Sequence, residues 1–303
     1  MNVDFVPGRV VVSGTPVDCA ADRALPEVSA TISSAEAAPG PGARPKQPRS
    51  TWRAVALPSE HGGWGLTAEP VILGLLIEPS GAGVAIGLAA GLAFLARTPL
   101  KVVLVDHWRR RSLPRTRIAG RIAVAEVASI VGVLAIGVTT GGPWSWVPLA
   151  LAAPAVGIEL WFDMRSRSRR LTPELAGTIG IGSVAAAIVL AGGGSAATAA
   201  GAWLLTAARA VASLPFVRYQ LRKAKGQPHR RWAQDLAQLA ALTIVVAASA
   251  FGLLPWAAAA AIGALAVVQL TLARIRPPKA VIVGVQQLFL GLAVMITGGL
   301  TMT

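Results

Sequence analysis

From residue 58 onward the chain alternates between long apolar runs and short breaks. The pattern repeats nine times, over 59–78, 81–100, 119–139, 145–163, 173–191, 195–216, 232–252, 255–273 and 279–299. Each run is near the ~20 residues that a helix needs to cross ~30 Å of hydrocarbon. The breaks carry turn residues: Glu78-Pro79-Ser80-Gly81, Thr140-Gly141-Gly142-Pro143, Gly192-Gly193-Gly194-Ser195 and Leu254-Pro255. Small residues at close spacing inside the runs, such as Gly87 and Gly91, favour close helix–helix approach. The predicted fold is all-α, a polytopic transmembrane bundle of about nine helices. Pro215 is expected to close a turn at the end of the sixth.

The bases set the predicted orientation. Arg97, Lys101, Arg109, Arg110, Arg111, Arg115, Arg117 and Arg121 fall at and between the facing ends of the second and third runs. Arg165, Arg167, Arg169 and Arg170 fall between the fourth and fifth. Two further groups, around Arg222 and Arg276, follow the sixth and eighth runs, and the alternate connections hold no Lys or Arg. Basic loops stay in the cytoplasm, which puts the N-terminus in and the C-terminus out and requires an odd number of spans. Trp64, Trp108, Trp161 and Trp232 mark inner ends, and Trp144, Trp146 and Trp256 mark outer ones.

Composition agrees. The 303 residues are 54% hydrophobic and 14% charged, with a mean hydropathy of +0.60, which belongs to a membrane protein. The formal net charge of +14 is gathered between apolar runs. It reads as topology, with anionic lipid headgroups as partners and no nucleic acid. The single cysteine, Cys19, excludes an intramolecular disulfide. Residues 1–56 are rich in Pro, Gly, Ala and Ser and end in Arg44, Lys46, Arg49 and Arg53; they are expected to form a disordered basic cytoplasmic tail ahead of a transmembrane domain at 57–303.

Candidate chemistry sits in the inner halves of the runs. Glu60, His61 and Glu69 belong to the first, Glu126 to the third, Glu159 and Asp163 to the fourth, Glu174 to the fifth, Arg209 to the sixth and Asp235 to the seventh. Charges at membrane depth are costly and pair or face a polar interior, so a hydrated chamber open to the cytoplasm is expected. Snorkelling or helix capping is the competing explanation for several of them. Ser59 suits an N-cap and Glu60 a first turn, yet Gly62 and Gly63 weaken a helix start and suit close approach of a ligand or backbone. Glu60 and His61 are therefore candidate acid–base residues, an imidazole near neutrality fitting that role, with Trp64 beside them. Thr206, Arg209 and Ser213 share a helical face. A guanidinium there implies a carboxylate partner or an anionic substrate group, for which Glu69 and Glu126 are further candidate contacts. Glu159 and Asp163, four apart on one helix face, are a candidate Mg²⁺ site against a diphosphate, or an interfacial ion pair.

Leu57-Pro58-Ser59-Glu60-His61-Gly62-Gly63-Trp64, followed by Pro70 and Gly74, resembles the N-terminal signature of the YwiC-like family of bacterial membrane proteins. That signature usually reads Pro-x-Glu-His-Gly-Ala-Trp; Gly63 stands here where Ala is usual. The resemblance implies a multi-pass protein of the bacterial cytoplasmic membrane and no particular reaction. The nine-helix, N-in pattern is also similar to the UbiA superfamily of intramembrane prenyltransferases. Their two aspartate-rich loops are represented here only by Asp106 and Asp235. Three functions follow as expectations: a lipid- or isoprenoid-handling enzyme, a transporter using intramembrane carboxylates, or a non-catalytic assembly partner.

Overall fold

A computed structural model describes residues 63–167 and 170–303. Among them the chain forms nine α-helices in sequence: α1 Gly63–Ile77, α2 Gly81–Trp108, α3 Pro114–Thr140, α4 Val147–Met164, α5 Leu171–Ala191, α6 Ala196–Ala224, α7 Arg231–Ala250, α8 Trp256–Leu272 and α9 Ala280–Met302. No strand occurs among the described residues. Seven helices are long and apolar enough to cross a membrane; α1 and α8 are apolar but shorter. The protein is a multi-pass membrane protein built as an all-α bundle.

Local sequence accounts for the ends. Ser80 caps α2, its Oγ accepting the Gly83 N–H at 2.9 Å, and Ser195 caps α6 by accepting the Thr198 N–H at 3.0 Å. Pro114 opens α3 where a missing N–H costs nothing. Pro255 sits at the N-cap of α8. Two helices run past the ends of their apolar stretches. α2 continues through Pro99, Arg97 and Lys101 to Trp108. α6 continues through Pro215 to Ala224, so Pro215 does not close a turn. Packed neighbouring helices satisfy the backbone that proline frees. Long basic side chains likewise reach out of the apolar zone without ending the helix.

The connections meet at two ends. At one, the N–H of Gly142 donates to the Ala191 carbonyl at 3.2 Å, Gly192 packs against Glu78, and Gly201 lies against the Leu253 carbonyl and Met302. At the other, Arg109 donates to Ser166 at 3.1 Å and Lys223 donates to the carbonyls of Ala273 and Ile275 at 2.9 Å each. The second end carries the basic connections. Lys223 there meets the carbonyl end of α8, where the helix dipole favours a cation.

The core lies between α1, α5, α6, α7, α8 and α9, where Leu73, Leu205, Val245, Ile262 and Met295 are buried with a dense set of alanines. α3 packs almost entirely on α2, touching α5 slightly and neither α1 nor α6. Its outward side chains, Val124, Val131 and Ile136, are exposed as a lipid-facing helix requires.

Candidate functional site

Near the middle of the 29-residue α6, Arg209 is 2% exposed. Its Nη2 contacts Glu69 Oε1 of α1 at 3.2 Å and donates to the Gln287 carbonyl of α9 at 2.7 Å. The α9 backbone comes this close because residue 291 is glycine. A Cβ at Gly291 would overlap Glu69 Oε1 and stand 2.6 Å from Arg209 Nη2. Arg209 Nε and Nη1 have no hydrogen-bond partner.

A layer of amides extends the pair across the bundle. The side-chain Oε1 of Gln287 accepts from Gln269 Nε2 of α8 at 3.0 Å. Gln269 Nε2 also donates to Ser213 Oγ of α6 at 3.0 Å. Gln238 Nε2 of α7 donates to Gln269 Oε1 and to the Ala212 carbonyl, both at 2.8 Å. Gln238 Oε1 and Gln287 Nε2 remain without partners, and one turn from Gln238 both amide atoms of buried Gln234 do too. Each such group costs about 1–3 kcal/mol when buried. Native proteins keep few of them, so their gathering on α6, α7 and α9 marks a place where hydrogen-bonding partners are exchanged.

Beside the pair is a cavity of about 10 Å³, lined by Leu66, Glu69, Pro70, Thr178, Gly182, Thr206, Arg209 and Ala210. That is space for about one water molecule. The hydroxyls of Thr206 and Thr178 donate to the Trp203 and Glu174 carbonyls, both at 2.7 Å, leaving their oxygen lone pairs for other contacts.

The structure brings together Glu69 and Arg209 from the candidate residues and distributes the others. Glu60 and His61 lie outside the described residues. Trp64 is half-exposed and meets Phe94 edge-on at 4.9 Å, and it does not line the cavity. Glu126 is on α3, which does not touch α1 or α6. Glu159 and Asp163 face α2: Arg97 contacts Glu159 at 2.7 Å and Asp163 at 3.2 Å, and Lys101 contacts Asp163 at 3.2 Å. A Mg²⁺ ion held by these carboxylates would have to compete with two cations already against them. No group of three or more His, Cys, Asp or Glu side chains arranged to hold a metal occurs among the described residues. Glu174 contacts Arg218 at 2.8 Å and Asp106 contacts Arg115 at 3.2 Å.

The glutamine layer carries no charge, so the pattern of ionisable residues along the sequence does not reveal it. Gln234, Gln238, Gln269 and Gln287 are legible as uncharged polar residues inside apolar runs, and intramembrane amides hydrogen-bond across helices.

Comparison with known proteins adds a name to part of the chain. A family model described as YwiC-like protein matches residues 57–189. No curated protein and no solved structure matches. The matched region holds Glu69 on α1 and reaches the end of α5, while Arg209 and the glutamines lie beyond it. Over residues 57–189 the chain is similar to the YwiC-like protein family.

Proposed function

We propose that the protein is a permease-type transporter of a small polar solute, with the Glu69–Arg209 pair and the glutamine layer as its binding centre. The observation that carries this reading is the unpartnered guanidinium nitrogens of a buried arginine beside a water-sized cavity. Intramembrane charges that face the bundle interior commonly mark a solute pathway. The amides continue from this centre toward the basic, cytoplasmic end through Gln238 and Gln234. The opposite side is closed by tight contacts such as Gly201 of α6 against Leu253 of the α7–α8 connection. Alternating access proceeds largely by rigid-body movement of one group of helices against another.

A lipid- or isoprenoid-handling enzyme with its headgroup on Arg209 needs far more than about 10 Å³ beside the guanidinium. That reading rests instead on Glu60 and His61.

The test uses the lone cysteine. In a Cys19→Ser background, Ala210→Cys places a thiol on the cavity wall. Membrane-impermeant thiol reagents are expected to label it from both sides, in intact cells and in inverted vesicles. Labelling from the cytoplasmic side only, or none, would rule out transport through this centre.

A further inference from the structure

We propose that the centre takes a small monovalent anion of halide size on Arg209, and that Glu69 takes up one proton with each anion. The proposal deepens the transport reading and rests on the same site. A guanidinium carries five N–H groups and never loses its charge. In Arg209 the Nη2 atom serves Glu69 and the Gln287 carbonyl. The single N–H of Nε and the two of Nη1 have no partner. Three free donors on a permanent buried cation call for a negatively charged acceptor. The cavity limits its size: about 10 Å³ excludes a phosphate ester or a lipid headgroup.

Charge balance supplies the coupling. Glu69 and Arg209 together are neutral. An anion added to that pair leaves a net negative charge in a dry interior, which is strongly unfavourable unless a proton enters as well. The groups around Glu69 name its carboxylate as the acceptor. Arg209 of α6 is the charged group against it. From α9 it meets Gly291, with Gln287 alongside on Arg209, and α5 contributes Thr178 and Gly182 to the shared cavity. The α5 carboxylate Glu174 is held by Arg218. On α2, Arg97 and Lys101 face Glu159 and Asp163, and Asp106 faces Arg115. When the Glu69 carboxylate becomes a carboxylic acid, its claim on Arg209 falls and the guanidinium turns to the anion. Proton and anion enter together and the site stays neutral.

The experiment follows thermal unfolding of the purified full-length protein at constant ionic strength, with chloride or fluoride replacing gluconate. Chloride or fluoride is expected to raise the unfolding midpoint saturably, and gluconate is not. The apparent affinity is expected to tighten about tenfold for each pH unit lowered, the signature of one proton per anion. Glu69→Gln is expected to keep anion binding and lose that pH dependence, and Arg209→Gln to lose saturable binding. If Arg209→Gln does not fold, Glu69→Gln decides: no anion binding, or binding with the pH slope retained, overturns the proposal. So does equal stabilisation by gluconate, or a wild-type affinity that ignores pH. The two readings fail separately. Anion binding with Ala210→Cys labelled from one side only would retire transport and keep the anion site. Labelling from both sides without anion binding would do the reverse.

Discussion

Arg209→Leu is expected to destabilise the protein by about 3–5 kcal/mol, because it strands the buried Glu69 carboxylate without a counter-charge. Glu69 is 4% exposed and the guanidinium is the cation against it. The same substitution also removes the donor to the Gln287 carbonyl. The double variant Glu69→Leu/Arg209→Leu should recover most of the loss. A buried ion pair exchanged whole for apolar side chains is often near-neutral, and polar contacts between membrane helices are individually worth only about 0.6 kcal/mol on average. Reversible unfolding of the wild type, both single variants and the double variant in mixed micelles measures this directly. If the double variant is no more stable than Arg209→Leu, the penalty does not come from the orphaned carboxylate. Arg97→Leu offers a contrast. Its side chain is 32% exposed and Lys101 remains against Asp163, so its loss should be much smaller.

Gly291→Ala is expected to be the next most damaging single change, although it adds only one methyl group. That methyl would overlap Glu69 Oε1 and crowd Arg209 Nη2. One of three things must yield: the ion pair, the bond from Arg209 to the Gln287 carbonyl, or the approach of α9 to α1. Overpacking alone costs about 1–3 kcal/mol; here a buried charge contact is disturbed as well. A double-variant cycle distinguishes this cause from lost helix flexibility. In a Glu69→Ala background the Gly291→Ala penalty should shrink, because the atom in the way is gone. An unchanged penalty would place the damage elsewhere.

The lengths of the apolar runs reveal the helices because membrane crossing imposes a minimum length. The ends were less legible. Arg97 and Lys101 looked like a loop beginning, yet α2 carries both and continues to Trp108, since their aliphatic stems stay with the helix while their charges reach Glu159 and Asp163. Pro215 looked like a terminus for the same local reason and lies inside α6. The site was half-visible. Arg209 and Glu69 declared themselves by carrying charge where hydrocarbon surrounds the bundle, but 140 residues separate them, and only packing decides which carboxylate meets which base. Glu126 shared the depth of Glu69 in the sequence and differs by standing on a peripheral helix. Gly291 gave no signal at all: a glycine in an apolar run reads as packing until the atoms opposite it are known.

The unequal helix lengths have a consequence for the surrounding lipid. At ~1.5 Å per residue the 17 residues of α8 cover about 26 Å and the 27 residues of α3 about 40 Å. A typical hydrocarbon slab of ~30 Å matches the apolar 119–139 stretch of α3, whose basic first turns stand outside it, but exceeds α8, where the bilayer thins or flanking side chains snorkel. α8 also supplies Gln269, which links the amides of α7 and α9. Where the bilayer is pinched, both water surfaces stand closer to those amides. Hydration of those amides is therefore expected to respond to acyl-chain length in the host membrane, without any ligand and from outside the protein.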